Sequence, residues 1–248
     1  MYQSILKKCL VLLFWLGVWQ LFYMLVGQEI LFSSPLAVFT RLFSLVRELS
    51  FWKSIGASLL RVAIGYLLGV LVGIFLAVIS TASKMVDALL SPLLTIIRAT
   101  PVASFIILVL FWLTTDMVPV FIGFLIVVGI IWANVKEGIL RTDPALLEMA
   151  SIFRFSRSKK LRYIYIPSVR PFFSAASLTA LGLAWKSSIA AEVICHPSFA
   201  IGSALYNAKI YLETTDLLAW TFMVILLSMI LEKMVEKIVS ARIQKGGE

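Results

Sequence analysis

Apolar residues fill the chain in six long blocks, near 9–26, 57–80, 88–113, 117–135, 169–192 and 217–235, separated by short polar intervals. A helix crosses a bilayer with roughly 20 apolar residues, so the pattern predicts six membrane-spanning helices. The third and fourth blocks are parted only by Thr114, Thr115 and Asp116, which predicts a tight hairpin.

Between the first two blocks, Ser34 is placed to N-cap a helix whose first position is Pro35. Leu36, Phe39, Phe43 and Val46 then recur at three and four, while Arg41, Arg47 and Glu48 point elsewhere. This predicts an amphipathic helix over 35–49 lying on the outer membrane surface as an interfacial anchor. The second block carries Gly65, Gly69, Gly73 and Ala77, one small residue every fourth position. The fifth repeats the theme with Ala176, Ala180, Ala184 and Ser188. Such stripes let helices approach closely in lipid, where no hydrophobic drive pulls them together. Packing is the expected role of both.

One long polar stretch interrupts the pattern, "LEMASIFRFSRSKKLRYIYIPSVRP" from Leu147 to Pro171. Asp143–Pro144 marks a helix start just before it. Leu146, Met149, Ala150 and Phe153 fall at i, i+3, i+4 and i+7, one apolar face, before Arg157, Lys159 and Lys160 break the period. Pro167 and Pro171 are expected to fix where the fifth helix begins. From pattern alone, residues 143–158 read equally as a basic loop that sets topology, an interfacial helix on anionic lipid, or a helix that docks into a groove of a soluble partner.

Composition agrees with the pattern. The chain is 61% hydrophobic and only 14% charged, with a mean hydropathy of +1.00, against roughly a quarter charged in soluble domains. A net charge of +9 would suit nucleic acid, but the basic residues cluster at the ends of apolar blocks and form no basic face. With Lys7 and Lys8 inside, 15 of the 22 lysines and arginines fall in inner segments and 4 outside. That asymmetry predicts both termini in the cytoplasm. The run after Lys8 is long for a signal peptide and lacks a cleavage site, so a retained anchor is expected.

Charges inside the blocks are the candidate chemistry, since a cation at the centre of a span costs about 2.5–3.5 kcal/mol on insertion scales. Arg98 lies deep in the third block, just before Thr100–Pro101, where Pro101 should kink the helix. Lys186, Ser187 and Glu192 lie in the fifth, with Lys186 and Glu192 on different faces. They either border a translocation path or are neutralised by groups from other spans. Cys9, Cys195 and the single histidine, His196, give neither a disulfide framework nor a metal site. No nucleotide-binding loop, zinc-protease motif or nucleophile elbow occurs. Lys186 with Ser187 or Ser188 makes a poor intramembrane enzyme because adjacent residues face different ways. A stand-alone secondary carrier would be expected to show two similar halves, and no convincing repeat is present.

The stretch around Glu148 and Ala150, with Ile164 and Pro167 at fixed spacing, resembles the signature of bacterial ABC-importer permeases, although Met149, Arg154 and Ile166 depart from it. "SSPLAVFTRLFSL", "ASLLRVAIGYLLGVLVG", "LLSPLLTIIRATPVASF" and the run from "LGLAWKSSIAAEVI" to "TTDLLAW" extend the resemblance over some 200 residues, from about Ser34 to Glu232. They are similar to the branch that imports nitrate, sulfonates, taurine and some vitamin precursors. "FWLTTD" keeps that branch's aromatics but loses two glycines, and Arg154 stands where the family has a glycine that permits a turn. The resemblance implies an all-α, six-helix type I importer permease as one domain over residues 1–248, not itself an enzyme. It implies a homodimer in the bacterial inner membrane, served by ATPase subunits that hold ATP and Mg, and by an extracytoplasmic substrate-binding protein. This chain would bind no cofactor. Leu146, Glu148, Met149, Ala150, Phe153, Arg154, Arg157 and Pro167 would then form the coupling segment that docks on the ATPase, and Arg98, Lys186, Ser187 and Glu192 would lie along the path.

Overall fold

The computed structural model describes residues 2–244, and every regular element among them is helical. In chain order these are α1 (Tyr2–Val26), α2 (Pro35–Leu45), α3 (Leu49–Ala82), α4 (Lys84–Ala99), α5 (Val102–Val109), α6 (Val118–Leu140), α7 (Pro144–Ile152), α8 (Arg157–Lys160), α9 (Ile166–Cys195), α10 (Ile201–Ile210) and α11 (Thr214–Gln244). A π-helical turn, Leu161–Tyr165, joins α8 to α9. Five helices are long and apolar enough to cross a membrane, and the pair α4–α5 makes a sixth if counted as one broken span. Lys245, counted above among the inner cations, lies outside the described residues.

The predicted elements exist, but several boundaries move. α3 begins at Leu49, eight residues before the expected 57, and its 34 residues give about 51 Å of helix, well over a bilayer's apolar thickness. The outer helix stops at Leu45 rather than 49. The third span is broken, with a 103° bend between α4 and α5. Thr100 takes an extended conformation (φ −78°, ψ 134°), as the residue before a proline prefers, so Pro101 ends one helix and leads another. The fifth span does not wait for its prolines. Helix runs on from Arg157, and Pro167 and Pro171 lie within α9. The π turn ends at Tyr165, one residue short of Pro167, where a missing N–H and a clash with the carbonyl four residues back would otherwise break an α-helix.

The chain divides into two units. The first comprises residues 1–58 and 196–227. In it, Ser34 Oγ caps α2 by accepting from the Ala37 N–H at 3.2 Å, as expected. Arg41 clamps Asp216 at the start of α11 through Nε and Nη2, at 2.5 and 2.7 Å. Phe51 packs on Trp220 with ring centroids 4.9 Å apart, and buried Ser58 accepts from the Ile201 N–H at 3.0 Å. The apolar face predicted for α2 is exposed, suited to lipid, while Val38 and Leu45 on its other side are buried. In α1 the apolar window Cys9–Val26 contains no buried residue.

The second unit comprises residues 59–195 and 228–248. At its centre α6 lies between α3 and α9, and both small-residue stripes are the reason. A methyl on Gly65 would stand 2.6 Å from the Val120 carbonyl oxygen, and one on Gly69 would stand 2.5 Å from Val127 Cβ. Ala176, Ala180, Ala184 and Ser188 are all buried against the opposite side of the core. Ser188 Oγ donates to the Pro119 carbonyl at 2.9 Å, which gives this buried hydroxyl a partner and ties α9 to the first turn of α6. Trp132 Nε1 donates to Ser80 Oγ at 3.0 Å and fixes α6 to the end of α3.

Candidate functional site

The polar stretch between α6 and α9 folds into a short helix held at both ends. Asp143 Oδ1 accepts from the Ala145 N–H at 2.8 Å and Pro144 takes the first helical position. At the other end, Phe155 N–H donates to the Ala150 carbonyl at 2.8 Å and Arg154 N–H to the Ser151 carbonyl at 3.0 Å. These two bonds make a Schellman cap, whose first residue beyond the helix must be left-handed. That residue is Arg154, with φ +50°. The turn is therefore made without the glycine, at a cost of about 1–2 kcal/mol for a side chain in this region. The lost glycines after the third span carry no such cost, because the positive-φ residues among those described lie elsewhere.

The expected apolar face of α7 divides. Ala150 is wholly buried and seats the helix. Leu146, Met149 and Phe153 are exposed, and Ile152, which periodicity did not single out, joins them; Ile152 and Phe153 are 72% and 70% exposed. Arg154, Arg157 and Glu148 border this apolar surface and are exposed. Arg141 donates to Glu137 at 2.5 Å nearby. Pro167 sits apart from the face, in α9.

The intramembrane charges fall into two sets. Glu192 is fully buried and accepts from Arg61 Nη1 at 3.2 Å, while Arg61 Nη2 reaches Asp116 Oδ1 at 2.7 Å. Glu192 thus ties α9 to α3 and to the turn before α6, and it presents no surface to a passing solute. Lys136 likewise pairs with Asp87 across α6 and α4. Arg61 lies inside the second apolar block, a signal of the same kind as Arg98, but its pairing with Glu192, 131 positions away, had none. Arg98 and Lys186 differ: both are exposed and, among the described residues, neither makes an ion pair. The stem of Arg98 crosses Gly129, where an added methyl would stand 2.8 Å from its Cγ. Ser187 is half-buried beside Lys186. No cluster of metal-ligating side chains occurs among the described residues.

Comparison with known proteins adds to this geometry. A family model described as "binding-protein-dependent transport system inner membrane component" matches residues 69–243. The bicarbonate transport system permease protein of Synechococcus elongatus is 29% identical over 159 residues, 64% of this chain and 57% of that protein. The nitrate import permease protein of the same organism is 31% identical over 138 residues, 55% of this chain and 50% of that one. The chain therefore spans less than two thirds of the length of these curated relatives. In structure, a subunit of a bacterial ABC transporter involved in importing the acidic polysaccharide alginate superimposes with a TM-score of 0.65. It covers 97% of this chain and 98% of its own at 15% identity, a likeness of fold.

Proposed function

Because the chain belongs to the family of binding-protein-dependent transport system inner membrane components, we propose that it is the permease subunit of an ATP-driven importer of a small anionic solute. The observation that carries this beyond the family is the outer face of α7, where Leu146, Met149, Ile152 and Phe153 stand exposed on a rigidly capped helix. An exposed apolar patch rimmed by polar residues suits a partner's groove, and a cytoplasmic ATPase is the partner the family calls for. Ala150 seats the helix, Glu148, Arg154 and Arg157 contact the rim of the groove, and Pro167 lies in the helix that receives the motion. The ATPase holds ATP and Mg, this chain binds no cofactor and catalyses no reaction, and both termini lie in the cytoplasm, below the inner membrane of a bacterium.

Two copies of the permease enclose the path, and an extracytoplasmic binding protein delivers the solute. Arg98 and Lys186, with Ser187 alongside, border that path. An unpaired cation at bilayer depth is costly against lipid and so faces a cavity or partner. The same two cations favour an anion, the class to which bicarbonate and nitrate, named for the relatives, belong. Glu192 braces the outer ends of the helices through Arg61. The test is uptake into vesicles containing the assembled transporter, with ATP and with an ion gradient alone. ATP-dependent uptake supports the reading; gradient-driven uptake without any ATPase chain makes this a secondary carrier.

A further inference from the structure

Between α3, α6 and the start of α9, on the same end of the second unit as α7, lies a cavity of about 1090 Å³. Its walls are apolar, with Val78, Ile139 and Phe173 among them, and Arg162, Tyr165 and Arg170 also line it. Pockets for small molecules run to roughly 1,000 Å³, so this one is large for a solute and too greasy for an inorganic ion. Neither arginine makes an ion pair among the described residues. Both lie where the polar segment becomes a membrane helix, the depth of lipid headgroups. Hydrocarbon walls lined also by two guanidiniums that make no ion pair among the described residues match an amphiphile that has long chains and an anionic head.

We propose that this cavity binds an anionic phospholipid, its phosphate held by Arg162 and Arg170 and an acyl chain laid along Val78 and Ile139. Tyr165, between the two arginines in sequence, also lines the cavity and adds a hydroxyl. The site is independent of the solute and of the energy source. It rests on the orientation given above only in assigning the cytoplasmic leaflet, where basic pockets between helices collect anionic lipid. A bound lipid would join α3 and α6 to the π turn, the element that connects α7 to its membrane helix.

The experiment is native mass spectrometry of the full-length chain purified in mild detergent, delipidated, and titrated with phosphatidylglycerol or phosphatidylcholine of identical chains. The expected result is retention of phosphatidylglycerol on the order of tenfold tighter than phosphatidylcholine. R162Q/R170Q should abolish that preference without lowering the unfolding temperature of the lipid-free protein, since Arg162 is exposed and Arg170 only half-buried. Val78→Trp, which fills the cavity, should weaken both lipids. Equal binding of the two lipids by the wild type, or a preference that survives R162Q/R170Q, overturns the proposal. So does efficient crosslinking of two copies through Val78→Cys, which would make a second chain the occupant.

Discussion

Arg61 Nη1 donates to Glu192 Oε1 across 3.2 Å, and the carboxylate it meets has no exposed surface at all. The two ends are unequal, because Arg61 also reaches the half-exposed Asp116. Arg61→Met removes a charge-assisted hydrogen bond from a buried carboxylate, which costs about 1.5–3 kcal/mol. Glu192→Gln leaves Arg61 with Asp116 and should cost clearly less. The double change to Met at both positions should recover most of the loss. Thermal unfolding of the three variants in detergent measures this, and equal losses for the two single changes would mean the pair is not held as described.

Close approach between α3 and α6 makes a sharper contrast between two glycines of one helix. Gly69→Val forces atoms into Val127, at about 1–3 kcal/mol. Nothing lies within 4 Å of a methyl on Gly56, so Gly56→Ala should be neutral or stabilise by about 0.5–1 kcal/mol. A thermal shift of the same sign in both would refute the stripe as the packing surface.

Arg154 is held left-handed by the cap of α7. Arg154→Gly relieves about 1–2 kcal/mol of strain and loosens the unfolded chain by about 0.5–1 kcal/mol, a net gain of between zero and about 1.5 kcal/mol. Hydrogen exchange at the Phe155 and Arg154 amides should slow in that variant. Faster exchange would show that the arginine side chain itself steadies the turn.

Lys186 is exposed and, among the described residues, makes no ion pair. Lys186→Met should lower uptake of an anionic solute by about tenfold, the scale of one charge contact near 1.4 kcal/mol, while the transporter still assembles. Uptake and solute-stimulated ATP hydrolysis that both stay intact would remove Lys186 from the path.

What the sequence made legible followed from local rules. The caps at Ser34 and Asp143 and both small-residue stripes depend on spacing within one helix and stand where expected, while the apolar blocks form helices with shifted bounds and the third is broken. The break at Pro101 was foreseen as a kink but not as a 103° turn, because the angle depends on what α5 packs against. The early start of the fifth span has no signal in the sequence, because Pro167 and Pro171 mark boundaries by local rules while a π turn just before Pro167 carries the helix through. Glu192 lies on a different face of its helix from Lys186, and spacing names no partner for it. Arg61 reaches it from α3, a pairing that only the folded bundle defines. On α7 the period identified the helix but could not say that Ala150 faces in while Ile152 faces out.

The proposed role of α7 is to dock an ATPase. The most direct measurement is co-purification of the ATPase with I152D/F153D, paired with ATP-driven uptake by the same membranes. Both side chains are more than two-thirds exposed, so the change leaves the fold intact. The account predicts loss of the ATPase from the purified complex, or ATP hydrolysis that no longer drives uptake. An intact complex with normal uptake would contradict it.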